Sequence, residues 1–195
     1  MKVEYEQIDG YAYGAIQPSL LMRFSDIPPV SSILTTQLAK LQNGLPSFED
    51  GKRFSVDGLA LDEAAAPLLF ATIIDSLNHH CGDQRFTSIK AFKEMDALCF
   101  ALPTLSAAMS VFNINAVSSL LARLSQGEPS EDTLGFAEGQ KRQTRRFLPS
   151  GTNAGNFIAA AAERRIPFKI FSRKYIIGSS PIMVGNHLRI PAGYS

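Results

Sequence analysis

The chain has 195 residues, 45% of them apolar, and a formal net charge of +1; that is enough for one compact domain, or one domain and part of a second, and too apolar for a disordered tail. Its longest apolar runs, such as Ala64 to Phe70, fall far below the roughly 18 residues that cross a bilayer, and the opening MKVEYEQIDG is no apolar signal segment, so a soluble, cytoplasmic protein without a membrane partner is expected. The small net charge hides a split: from Gly139 onward ten Lys or Arg stand against one acid, while the first 138 residues carry 9 basic and 17 acidic residues, which marks either an anion-binding half or a basic surface facing an acidic neighbour in the same fold.

In MKVEYEQI, Val3, Tyr5 and Ile8 are set among polar partners, and Leu20, Met22 and Phe24 repeat the habit in SLLMRFSDI. The period of two predicts paired strands joined through the loop from Gly10 to Pro18. After Pro28 and Pro29, Ser31 or Ser32 is placed to cap a helix with Leu34, Leu38 and Leu41 on one face, ending at Gly44 and packing on the sheet. LPSFEDGKRFSVDG, dense in turn formers, predicts a loop or ragged hairpin. LALDEAAAPLLFATIIDSLNHHCG predicts a helix with Pro67 near its first turn, a stripe of Leu69, Ile73, Leu77 and Cys81, and a stop at Gly82. QRFTSIKAF and DALCFALP predict two further strands. Thr104 then opens a long helix with Leu105, Met109, Phe112, Ala116, Leu120 and Leu124 along one face, a core-packing stripe.

Residues 1–126 are therefore expected to form an α+β unit, a small sheet of about four strands with packed helices. Residues 127–150 read as a linker containing a polar, increasingly basic helix or coil. In 151–195, Asn153 caps a short helix in NAGNFIAAAAERR, IPFKIF forms a strand and KYIIG begins another. This is the start of a second domain, a helix and hairpin without a covering layer.

Signals of chemistry are sparse. His79, His80 and Asp83 are the metal-type cluster, but adjacent helical histidines point about 100° apart and Asp75 with His79 supplies two ligands at most. A solvated helix end, where histidine favours the negative dipole, explains them as well. Cys81 and Cys99 lack paired spacing and read as buried thiols. Ser106, Ser110 and Ser118 lie on or beside the long helix without a Gly-x-Ser-x-Gly elbow, which gives a serine hydrolase no footing. GSSPIMVG and SGTNAGN bear glycines but match neither phosphate-loop pattern, although Gly151 to Asn156 precedes a helix whose free N–H groups suit an anion. Phe147 alone accompanies Arg145 and Arg146, an arrangement that argues against nucleic acid.

Taken in order, GYAYGAIQPSLLMRFSDI, GLPSFEDG, the two helices, FIAAAAERRIPFKIF, YIIG and HLRIPA resemble the start of cyanophycin synthetase. That family joins amino acids into an arginine-decorated polyaspartate, with a small α+β N-terminal domain followed by an ATP-grasp domain and a Mur-ligase-like domain. The resemblance implies that 151–195 is the beginning of the ATP-grasp domain, opening with the alanine-rich helix at Ala159 to Ala162, the junction Arg164-Arg165-Ile166-Pro167, and a hairpin ending at Arg189-Ile190. ATP and magnesium are implied for the complete ligase and no cofactor for this chain alone. Some members carry a zinc-site pattern on a first-domain helix; Leu68, Ala71 and Thr72 fall at those positions here, and none binds zinc.

Two functions are expected from this. In the first, the chain is an accessory or N-terminal portion of an ATP-dependent amide-bond ligase, holding peptide or amino-acid substrate, with Arg142, Arg145, Arg146, Arg164, Arg165, Lys174 and Arg189 as candidates to meet acidic substrate or phosphate. In the second, it is a non-catalytic protein that docks to a ligase partner or to itself through the C-terminal hairpin. A metal enzyme using His79, His80 and Asp83 is the weakest alternative.

Overall fold

The computed structural model describes residues 1–8, 13, 15–45, 54–56, 64–126, 132–148, 152–166, 169–171 and 187–189, and of 54–56, 152–155, 169–171 and 187–189 the backbone. In chain order the elements are β1 (Lys2–Ile8), β2 (Ser19–Ser25), α1 (Ile33–Gly44), β3 (Phe54–Val56), α2 (Ala65–His80), β4 (Ile89–Glu94), β5 (Ala97–Pro103), α3 (Ala107–Ser125), α4 (Thr133–Thr144), a 3₁₀ turn at Arg145–Phe147, α5 (Thr152–Glu163), β6 (Lys169–Phe171) and β7 (His187–Arg189). The architecture is α+β.

The main sheet runs β1-β2-β5-β4-β3. Its first four strands are antiparallel, and β3 lies parallel to β4, so α2 is the crossover between them. The expected four strands thus gain a fifth, inside the segment read as a loop or ragged hairpin; the rest of that segment, from Pro46 to Arg53 and on to Gly58, lies outside the described residues. The register opposes Leu20 to Leu102, Met22 to Phe100 and Phe24 to Leu98, which puts the apolar set of both strands on one face. There Phe24 meets Phe70 and Phe100 edge-on at 5.9 and 5.5 Å between ring centres. On the other face Leu21, Cys99 and Ala101 are buried, and Tyr13 stacks on Phe92.

Ser32 caps α1 by accepting from the Thr35 N–H. Every residue of α2 from Phe70 to Asn78 is buried, whereas a single stripe was expected: this helix touches the sheet on one side and α1, α3 and α4 on others. Pro67, its third residue, has no intrahelical N–H to lose there. Gly82 takes a φ of +99° just past the helix end, as a left-handed stop requires.

Two expectations for α3 are corrected. Ser106, not Thr104, is its cap, accepting from the Met109 N–H. The core face is Met109, Ile114, Val117, Leu120 and Leu121, rotated from the expected stripe, with Phe112 and Ala116 half-buried on the flank. A helix wedged between a core and a second helix carries two apolar faces, and spacing alone does not rank them. α3 is also long and apolar enough, by length and composition, to cross a membrane; here it packs on α1, α2 and α4.

Within the expected linker, α4 buries Ala137, Gln140 and Thr144, and Ala137 joins the main core. Gly44 permits this approach, because a Cβ there would sit 2.8 Å from that of Thr133. α5 docks on the first unit as well, with Ile158 and Ala161 buried against Phe86 and Leu105. The closing hairpin pairs β6 with β7 antiparallel, Lys169 opposite Arg189; KYIIG and Lys174 lie outside the described residues.

Candidate functional site

The metal-type residues do not converge. His80 Nε2 lies 2.9 Å from Glu138 Oε1 on α4, His79 is exposed, and the buried Asp83 carboxylate turns inward, accepting from Thr104 Oγ1 at 2.5 Å and from the Leu105 N–H at 2.8 Å. Among the described residues no three His, Cys, Asp or Glu side chains are grouped to hold an ion. Of Leu68, Ala71 and Thr72, Ala71 is buried and Thr72 donates its hydroxyl back to the Leu68 carbonyl.

Asp83 instead ends a polar network that sequence reasoning missed. Asn113 Nδ2 donates to Asn78 Oδ1, Asn78 Nδ2 to Ser110 Oγ, and Ser110 Oγ to Thr104 Oγ1 at 3.0 Å, which donates onward to Asp83. All five side chains are buried. Burial pushes the Asp83 carboxyl up to about 7, against the hydrogen bonds that favour its charged form. The neighbouring Asp75 is buried with Arg85, Nε to Oδ1 at 3.2 Å. Desolvation likewise raises the Cys81 thiol.

The basic candidates separate into groups. Arg142, Arg145 and Arg146 are exposed at the C-terminal end of α4 and in the following 3₁₀ turn, where cations complement the helix dipole. The Arg146 guanidinium sits 4.9 Å from the centre of the Phe147 ring, and Phe147 leans on Phe112 of α3. Arg164 and Arg165 are exposed at the end of α5; Arg164 donates back to the Ala160 carbonyl, and Arg165 takes a φ of +51°. Arg189 is on β7.

A groove of about 480 Å³ runs between α3 and α4, lined by Ala116, Ser119, Arg123, Asp132, Gly135, Phe136, Gly139, Gln140 and Gln143. Two glycines stand in its α4 wall. A Cβ on Gly139 would meet nothing within 4 Å, and one on Gly135 would come 2.8 Å from Asp132 Oδ2. Arg123 and Asp132 mark one end of the groove; Asp132 also caps α4 by accepting from the Leu134 N–H. Along α4 the lining ends at Gln143. An arginine and a carboxylate at one end, the Gln140 and Gln143 amides along the α4 wall and a mostly apolar lining between them suit a short peptide or an amino acid. The sequence carried a faint signal of this wall, two glycines four residues apart in a helix otherwise free to use alanine.

No protein-family model matches the chain, and no characterised protein matches it in sequence.

Proposed function

We propose that this chain is the N-terminal, substrate-holding portion of an ATP-dependent amide-bond ligase of the cyanophycin-synthetase kind, with acidic peptide or amino-acid substrate seated between α3 and α4. The observation that carries the reading is the groove, whose α4 wall includes Gly135 and Gly139 and whose lining includes Arg123. Order along the chain supports it: a layered α+β unit, an alanine-rich helix docked on that unit, then a two-stranded hairpin. In such a ligase a substrate carboxylate is activated as an acyl phosphate and attacked by an amine. ATP and magnesium belong, in this reading, to the ATP-grasp portion or a partner chain, in a soluble, cytoplasmic setting.

Calorimetric titration with a short oligo-aspartate peptide tests the reading. Binding that weakens as salt rises, falls about tenfold in Arg123→Ala and is lost in Gly139→Leu supports it. Equal affinity in all three proteins refutes it. The hairpin favours a second reading, a docking protein without catalysis, because a two-stranded sheet is marginal by itself and its edges invite pairing. A concentration-dependent dimer that binds no acidic peptide selects that reading.

A further inference from the structure

The seat of α5 is built from two apolar side chains, Phe86 and Leu105, and each is held from beneath by a buried polar side chain. Gln17 Oε1 accepts from the Phe86 N–H at 2.7 Å, while Gln17 Nε2 donates to the Gln84 carbonyl at 3.1 Å. Asp83 Oδ1 accepts from the Leu105 N–H at 2.8 Å. Gln17 is neutral at any pH. Asp83 is an acid, 4% exposed, with no cation at ion-pair distance among the described residues, so its charge is countered by hydrogen bonds alone.

The same heavy atoms admit two self-consistent hydrogen-bond orders. With Asp83 ionised, protons point one way: Ser110 Oγ to Thr104 Oγ1, and Thr104 Oγ1 to Asp83 Oδ2. With Asp83 protonated on Oδ2, its O–H must donate to Thr104, which already accepts from the Ser106 N–H at 3.1 Å. Thr104 then turns its proton to Ser110, and Ser110 turns its own to the Ser106 carbonyl, 3.4 Å away in the first turn of α3. No heavy atom has to leave its place. What changes is the grip on Leu105, which passes from a carboxylate oxygen to the weaker carbonyl of a neutral acid.

We propose that Asp83, Thr104 and Ser110 form a two-state proton relay that tightens the seat of α5 when Asp83 is ionised and slackens it when Asp83 takes up a proton. Because α5 leads into the β6–β7 hairpin and touches β7, the relay sets how firmly the C-terminal part is held to the α+β unit. Burial places the transition near neutral pH. The other charged or titratable groups on the neighbouring parts of the fold are Asp75 with Arg85, His79 on α2, Cys81 at its end, the His80–Glu138 pair, Lys141 on α4, and Glu163, Arg164 and Arg165 at the end of α5.

Nuclear magnetic resonance of the full chain between pH 5 and pH 9 tests the relay. The Asp83 carboxyl carbon, the Leu105 amide proton and the Ile158 and Ala161 methyl groups should titrate with one midpoint, the Leu105 proton moving upfield on acidification. In Asp83→Asn all of these shifts should vanish, which separates the relay from His80 and Glu138. In Thr104→Val the common midpoint should rise, because the carboxylate loses a donor; this variant decides the matter if Asp83→Asn does not fold. Methyl groups of α5 that stay constant while Leu105 titrates, or a titration that survives Asp83→Asn, would overturn the proposal.

Discussion

Met95 and Asp83 are two residues whose surroundings are sharply at odds with their chemistry. Met95 turns the β4–β5 hairpin with a φ of +52° while 92% exposed. An L side chain is disfavoured in that region by about 1 kcal/mol or more, and glycine is not. Met95→Gly should therefore stabilise the protein by about 1 kcal/mol, read from urea unfolding. Asp83 has a carboxyl raised from 3.8 to about 7. Between those values the native state keeps a proton that the unfolded chain has released, so stability from this group is full below about pH 4 and falls as pH rises toward 7, by about 4 kcal/mol in all. Asp83→Asn should flatten that fall in unfolding free energies compared between pH 4.5 and pH 8. Neither behaviour was legible in the sequence. Asp83 stood next to two histidines and invited a metal reading, because its true partners, Thr104 and Ser110, arrive from 21 and 27 positions further along the chain through tertiary packing.

Elements were more legible, for local reasons. Alternation found β1 and β2, β-branched and aromatic residues between polar or proline bounds found β4 and β5, and the serine after the proline pair found the start of α1, since such signatures are written within a few residues. β3 escaped because a three-residue strand pairs in parallel with β4 across α2, and no local pattern encodes that partner. The face of α3 escaped because its flank is apolar too, with Phe112 against Phe147 and Ala116 in the groove wall. The cap of the same helix offers a check: Ser106→Ala should cost about 1 kcal/mol. No loss would show that the Met109 N–H bond to Ser106 Oγ does not hold the helix start. α4 is the element whose meaning changed most. Its composition reads as a linker, yet three buried residues spaced three and four apart, Ala137, Gln140 and Thr144, fasten it to the first unit. Ala137→Leu should overfill that contact at a cost of about 1–3 kcal/mol.

At the scale of the molecule, α5 and the hairpin are attached to a unit that has its own core. Ile158 and Ala161 form a small satellite cluster with Phe86 and Leu105, apart from the main one. A chain ending at residue 150 should therefore unfold in a single cooperative transition at a lower temperature than the full chain; loss of the transition would show that α5 belongs to the core. The charge split also takes on a physical form at this scale. Among the described residues, Arg142, Arg145 and Arg146 gather at the end of α4 and Arg164 and Arg165 at the end of α5, and the lining of the groove between α3 and α4 reaches Gln143, within the first of these groups in sequence. Chemical-shift mapping with a short oligo-aspartate peptide tests that placement most directly. The account predicts perturbations concentrated at Ala116, Ser119, Gly135 and Gly139 and absent in Gly139→Leu; perturbations confined to another surface, or none at saturating peptide, would contradict it.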